Sequence, residues 1–520
     1  MTNATPVNQR ELWGHPIGLY VLFLTEMWER FSYYGMRGLL SIYMTAELIG
    51  DARGPGLGWT DAEALKLYGW YTMLVYVMSI PGGLIADKIL GQKRSVLIGA
   101  IILVLGHGTL AIEAVWAFYT GLLLIILGVG MLKPNISTMV GGLYGKNDIR
   151  RDKGFSIFYI GINLGSLLAT TIVGLVVAKW GWHAGFGLAG IGMLFGLIVY
   201  LYGQKYLTHV GNVTSQEEKK DQVSIGQVFS DLLKSPKHLM VVTGLIALSI
   251  YYAGFVMDEV DHWGYAALFV FLSLVVGMLM MIYKSLRSQI EKDRFMVVLL
   301  SFLLVIVFWG AFEQAGGLMN LYAENKTNRM LFGWEVPTIW FQSLNAGFII
   351  LFAVTVANYW ASRKLKNKEA SSLFKMATGT IIMGLGFVFM VFAVRDYNAD
   401  GSSAMYWLVL AYFFHTIGEL CSSPVSLSFV TKLAPVRYAS LMMGLYFAST
   451  GLGNKVAGLV GESASDYGEY TIFAGITIFT VVFGLLVIAI LKPLKRLTHG
   501  AEDMEGTSHE EAEGFELADD

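Results

Sequence analysis

Glu26-Met27-Trp28-Glu29-Arg30-Phe31-Ser32-Tyr33-Tyr34-Gly35-Met36-Arg37 sets four ionisable side chains inside an apolar run that opens at Ile17. On a helix turning about 100° per residue, with Glu26 as zero, Arg30 falls near +40°, Arg37 near +20°, Tyr33 near −20° and Glu29 near −60°. The polar groups therefore share a wedge of about 100°. Lipid would not tolerate such a face, because a charge at the bilayer centre costs roughly 3 kcal/mol on insertion scales. The wedge is expected to face protein or a water-filled cavity. The run is not a cleavable signal either, since it carries charges and has no small-residue cleavage site.

The same contrast between apolar bulk and placed charge runs through the chain. Of its 520 residues 55% are hydrophobic and only 15% charged, with a mean hydropathy of +0.56. Length alone would allow about three soluble domains, but this balance marks a membrane class. The single cysteine, Cys421, excludes an intramolecular disulfide and any Cys-x-x-Cys site. A net charge of −2 gives no basic field for nucleic acid. An aromatic content of 13% excludes a disordered chain.

Hydrocarbon about 30 Å thick takes roughly 20 helical residues. Fourteen such runs lie between charged or Pro/Gly-rich breaks: 16–49, 60–88, 93–114, 116–144, 153–179, 185–206, 238–257, 263–285, 294–323, 335–362, 369–395, 404–432, 435–465 and 468–492. Lys and Arg crowd alternate loops, as in Lys88, Lys93 and Arg94, or Arg363, Lys364, Lys366 and Lys368, and are sparse in the others. This alternation predicts both termini in the cytoplasm. The expected organisation is a cytoplasmic N-terminus (1–15), a six-helix bundle (16–206), a cytoplasmic linker (207–237) and an inserted hairpin with its connection (238–293). A second six-helix bundle (294–496) and an acidic, disordered tail (497–520) complete it. The hairpin, whose connection holds Asp258, Glu259 and Asp261, is read as peripheral because its apolar middle carries no ionisable group.

Partners for the wedge stand on other helices: Lys133 before Pro134 and Asn135, Glu313 with Gln314, and Glu419 upstream of Pro424. Pro134 and Pro424 are expected to interrupt their helices, freeing the carbonyls of Gly130 and Leu420. Pro81-Gly82-Gly83 makes a comparable soft point. Broken helices beside buried charges are common at transporter sites. Four acids (Glu26, Glu29, Glu313, Glu419) against three bases (Arg30, Arg37, Lys133) leave one formal negative charge, which a bound proton would neutralise. A zwitterionic guest would leave that balance unchanged. Plainer readings cover the rest. Lys455 is expected to snorkel, His107 and His415 to pack, and Gly128-Val129-Gly130-Met131-Leu132-Lys133 to serve helix packing, since it lacks the Gly-Lys-Ser/Thr of a phosphate loop. Tyr33, Tyr34, Tyr68, Trp309 and Tyr446 read as core aromatics that could line a guest cavity.

Taken together, these residues resemble the proton-dependent oligopeptide transporter family of the major facilitator superfamily. Glu26 to Phe31 matches that family's ExxERF motif, and Phe158-Tyr159-Ile160-Gly161-Ile162-Asn163-Leu164-Gly165-Ser166 its FYxxINxGS signature. Lys133-Pro134-Asn135 matches its helix-four lysine. Asp87 to Arg94 is similar to the superfamily's loop motif, and Phe308-Trp309, Glu313-Gln314 and Gly418-Glu419 extend the likeness into the second half. The resemblance implies an all-α polytopic membrane protein whose two six-helix halves, with the inserted hairpin, rock about a midplane site. It implies a proton symporter of di- and tripeptides in the cytoplasmic (inner) membrane, with no cofactor, no metal and no catalytic residues, the proton gradient supplying the drive. Arg37 and Lys133 would take the peptide carboxylate, Glu419 the amino terminus, and Asn163 and Asn345 backbone groups, with Tyr33, Tyr34, Tyr68, Trp309 and Ser423 around the guest. Glu26, Glu29, Arg30 and Lys133 would couple the proton. Arg37 with Glu313 would gate the outer side and Lys133 with Glu419 the inner. One departure is the absence of the histidine that some relatives carry on helix two, which leaves coupling to the carboxylates. The drive is adequate, at ~2.3 kcal/mol per charge across about 100 mV.

A carrier of nitrate or another small anion is the alternative within the same fold. An intramembrane hydrolase is disfavoured, because neither His-Glu-x-x-His nor Gly-x-Ser-x-Gly occurs. Oligomeric state is left open by the sequence.

Overall fold

The computed structural model describes residues 10–144, 148, 150–212, 230, 234, 240–244, 262–435 and 438–501. Most of the expected linker beyond residue 212, most of the span 238–257, the hairpin acids, Lys146, Arg437 and the acidic tail beyond 501 lie outside them. "Inner" below means the side on which the first helix begins.

The described helices run in the order α1 (Ile17–Thr45), α2 (Asp61–Val77), α3 (Ser79–Ile85), α4 (Gln92–Leu110), α5 (Val115–Gly142), α6 (Arg150–Trp180), α7 (Trp182–Gly203) and α8 (His262–Ser285). Then come α9 (Gln289–Phe312), α10 (Leu318–Asn325), α11 (Trp340–Leu365), α12 (Ser372–Asp400), α13 (Met405–Leu433), α14 (Ala439–Glu462), α15 (Ala464–Tyr467), α16 (Glu469–Ala489) and α17 (Leu491–Leu497). Ten helical stretches among the described residues are long and apolar enough to cross a membrane. α1, α2 with α3, and α14 are not among them. In α1 the charged wedge lowers the hydropathy, so these helices depend on protein neighbours more than on lipid.

Start and stop signals behave as physical chemistry requires. Thr60 caps α2 in a reciprocal box, Thr60 N–H donating to Glu63 Oε2 at 2.9 Å and Glu63 N–H to Thr60 Oγ1 at 3.3 Å. Gly181 turns the chain between α6 and α7 at φ +87°, where a Cβ would come within 2.4 Å of the Arg53 carbonyl. The second helix breaks at Met78, because Pro81 cannot donate to the Val77 carbonyl. Pro134 and Pro424 do not break theirs: α5 and α13 run through them, correcting the expected interruptions. Near Pro134 the Thr138 hydroxyl donates to the Pro134 carbonyl at 2.9 Å and the Asn135 amide to Met131 O at 2.6 Å, tying the turn together. The unforeseen break lies at Glu313–Gly317, where a 3₁₀ turn and Gly316-Gly317 separate α9 from α10. Three two-residue ribbons, Glu11–Leu12 with His15–Pro16, Thr327–Asn328 with Ser403–Ala404, and Met330–Leu331 with Trp334–Glu335, were also not foreseen.

Two compact units result. The larger comprises Met1–Ser215, Phe302–Ser426 and Tyr446–Ala489, the smaller Gln216–Ser301, Leu427–Leu445 and Ile490–Asp520. Within the larger, one apolar cluster gathers Leu40, Tyr68, Val129, Trp182 and Phe186, and a second gathers Phe308, Met319, Met383, Phe387 and Phe473. Glycines set the tightest seams. A Cβ on Gly82 would lie 1.9 Å from Gly130 O, and one on Gly69 2.8 Å from Gly458 Cα, so α3–α5 and α2–α14 meet backbone to backbone. This is the packing role expected of the glycines before Lys133. In the smaller unit the Ser285 and Tyr438 hydroxyls are 2.7 Å apart, and Arg294 donates to the Thr498 carbonyl at 3.0 Å.

Candidate functional site

The wedge on α1 is buried, Glu26 at 3%, Glu29 at 1% and Arg30 at 3% exposure. Arg30 Nε lies 3.1 Å from Glu26 Oε1 and also pairs with Glu29. One guanidinium thus serves two carboxylates, and Glu26 Oε2 and Glu29 Oε1 have no hydrogen-bond partner among the described residues. The Tyr33 ring covers Arg30 at 5.4 Å and the Tyr34 ring covers Arg37 at 5.7 Å.

Two turns outward, Arg37 reaches the break between α9 and α10. Its Nε donates to Glu313 Oε1 at 2.9 Å and its Nη2 lies 2.8 Å from the same oxygen. The Tyr68 hydroxyl accepts from Arg37 Nε at 2.8 Å and donates to Glu313 Oε1 at 2.8 Å. Gly316 makes this approach possible, since a Cβ there would sit 2.0 Å from the Tyr68 hydroxyl. Just outside, Asn320 Nδ2 donates to Gly38 O at 3.0 Å and to Ser41 Oγ at 2.9 Å, while Ser41 Oγ donates to Gly316 O at 2.9 Å. The hydroxyl of Tyr68, a residue expected around the guest, completes the Arg37–Glu313 pair. Asn320 and Ser41 escaped sequence reasoning, because nothing in their own stretches signals a partner so distant in the chain.

The remaining expected site residues are spread over the facing helices. Lys133, half-buried on α5, stands over the Tyr76 ring at 3.7 Å, with no carboxylate in ion-pair reach among the described residues. Buried Glu419 on α13 accepts from Asn345 Nδ2 at 2.7 Å, and the same amide lies 3.1 Å from Thr416 Oγ1; no cation is in ion-pair reach of this carboxylate among the described residues. Lys133 and Glu419 are therefore not paired with each other here. Asn163 donates to the Tyr159 carbonyl one turn earlier at 3.0 Å. Trp309 packs edge-on against Phe308 and Phe312, at 5.7 and 5.2 Å. Ser423 is half-buried, its carbonyl accepting from the Ser426 hydroxyl at 3.0 Å.

One plainer expectation needs correction. Lys455 does not snorkel: it is 2% exposed, its ammonium 4.2 Å from the Trp70 ring, because the glycine seam between α2 and α14 closes over it. Counting Lys455, four acids face four bases at this depth, and the surplus negative charge that suggested a proton disappears. His107 and His415 do pack, His415 at 4.4 Å from the Phe387 ring, yet neither ring has a hydrogen-bond partner among the described residues.

A polytopic helical protein whose buried charges converge from several helices, one pair locked and one apart, belongs to the class of membrane carriers. The comparisons with known proteins narrow this. The model of the POT family matches residues 93–472, and the chain belongs to that family. It is 36% identical over 518 residues to the peptide transporter YePEPT of Yersinia enterocolitica subsp. palearctica serotype O:3 (strain YE-P4), covering 96% of this chain and 99% of that one. It is 34% identical to a di-/tripeptide transporter of Lactococcus lactis subsp. cremoris, covering 94% and 98%. A crystal structure of a peptide transporter POT in complex with sulfate matches with a TM-score of 0.80 at 35% identity, over 94% of this chain and 97% of that one. The fold is thus of the major facilitator type, and the family is one of transporters rather than enzymes.

Proposed function

We propose that this protein imports di- and tripeptides together with protons by alternating access, in the cytoplasmic membrane and with both termini inside. The observation that carries the reading is the pair of unmatched charges. Glu419 is held by a neutral amide, and Lys133 lies against an aromatic ring. A guest with an ammonium at one end and a carboxylate at the other would satisfy both, at a cost that neither a single anion nor a neutral solute could offset. Arg37 and Asn163 are close candidates for the peptide's carboxylate and backbone. The drive is the proton gradient, with no cofactor.

Proton coupling is supported locally rather than by a charge sum. Glu26 and Glu29 share Arg30. Protonating one carboxylate leaves a complete ion pair and weakens the hold of this cluster on Lys133, whose charged neighbours are Arg30, Glu29, Glu26 and Glu313. The locked Arg37–Glu313 pair and the separated Lys133 and Glu419 correspond to a carrier closed outside and open within. In proteoliposomes, Glu419→Gln is expected to abolish acid-driven peptide uptake, and dialanine but not nitrate to compete with labelled substrate. Full uptake by that variant would sink the role of Glu419, and competition by nitrate would favour an anion carrier.

A further inference from the structure

Ile339, just ahead of α11, fills a gap that two glycines leave for it. It is 2% exposed and lies between α1 and α6. A Cβ on Gly38 would come within 2.5 Å of Ile339 Cδ1, and one on Gly174 within 2.4 Å of Ile339 Cγ2. Even one added methyl at either position would displace the side chain. One turn inward, the hydroxyls of Thr170 on α6 and Ser343 on α11 are 2.5 Å apart, and the Trp340 indole donates to the Thr171 carbonyl at 3.0 Å. On the outer side lies a cavity of about 380 Å³ walled by Gly174, Val177, Arg53, Glu324 and Ile339 itself. Open space thus borders the isoleucine on one side, and a closed seam between α6 and α11 on the other.

We infer that Ile339, seated in the Gly38–Gly174 socket, is an uncharged plug: a positioning residue that sets how firmly the outer side stays shut, separately from the Arg37–Glu313 pair. The inference rests on the alternating-access reading above. Lifting Ile339 out would expose apolar surface without freeing any charge, so the plug biases the carrier toward outer closure by burial alone. The ion pair answers to charge, whereas the plug answers only to shape.

The test is labelling of Ser166→Cys, two turns inward of Gly174 on α6, in a Cys421→Ser background. A membrane-impermeant maleimide is added to intact cells without peptide. Ile339→Ala is expected to raise the labelling rate about tenfold or more, as the closed state loses its main apolar contact at this seam. Gly174→Ala should raise it too, by obstructing the seat. The double variant Gly174→Ala with Ile339→Ala should fall back toward the parent rate, because the added methyl occupies space that the isoleucine vacated. A parent-like rate for Ile339→Ala, or a double variant labelled no more slowly than either single one, overturns the plug. Should Gly174→Ala fail to fold, Ile339→Ala, which creates space and no clash, decides alone. Failure of the parent chain to take up peptide would overturn the transport reading and leave these rates unaffected.

Discussion

Glu313 Oε1 accepts from Arg37 Nε and from the Tyr68 hydroxyl, with Arg37 Nη2 in ion-pair contact at 2.8 Å. Hydrogen bonds to a charged group contribute about 1.5–3 kcal/mol each, so two of them reinforce what would otherwise be a bare ion pair. Tyr68→Phe keeps the pair and removes one donor. It should destabilise the closed state by about 1.5 kcal/mol, roughly a tenfold shift toward outer opening. Distances between spin labels on the outer ends of α2 and α10 would read this, and an unchanged distribution would assign Tyr68 to packing alone. On the guest side, Asn345→Ala leaves Glu419 without its donor. Peptide KM should rise at least several-fold with a smaller effect on maximal rate, measured as concentration dependence of uptake.

Among elements, the glycine seams are the least tolerant parts of the fold. Gly82→Ala would drive a methyl into the Gly130 carbonyl and should cost about 3 kcal/mol, seen as a lower Tm in detergent. The inner hairpin of Glu11–Pro16 is held differently. Arg150 donates to Glu11 and to the Gly14 carbonyl, both at 2.9 Å, and buried His15 meets the Tyr144 hydroxyl at 2.8 Å. Burial, with Lys153 and Arg150 nearby, holds the His15 imidazole below its usual pKa. Its contribution is therefore complete above about pH 6.5 and is lost as pH falls toward the lower folded value, because the free hairpin takes up the proton first. Protection of the amides of residues 11–15, corrected for the intrinsic slowing of exchange at lower pH, should fall on acidification, and His15→Phe should remove that pH dependence. The wedge on α1 was legible because helical periodicity alone gathers its residues onto one face. The break at Glu313–Gly317 was not, since prolines advertise themselves and yet Pro134 and Pro424 were accommodated, while two glycines beside a charge were not. Lys455 was misread for a related reason: distance from the helix end suggested escape to the interface, and only the α2–α14 seam determines that Trp70 covers it.

For the whole molecule, the proposed symport of a neutral zwitterion with one proton would move one net charge inward. An inside-negative potential of about 100 mV should then raise peptide accumulation about 50-fold at equal pH, read with a potassium diffusion potential in proteoliposomes. Accumulation indifferent to potential would exclude net charge movement. The interruption between α9 and α10 adds a mechanical consequence. Glu313 stands at the fulcrum of a short lever and not at its tip. With eight residues at about 1.5 Å rise, α10 is an arm of roughly 12 Å, and turning it by about 10° around Gly316-Gly317 carries its far end about 2 Å while barely displacing the carboxylate. On the proposed alternating-access reading, parting of the outer rim and rupture of the Arg37–Glu313 bond would be separable strokes, the mouth loosening before the lock is released.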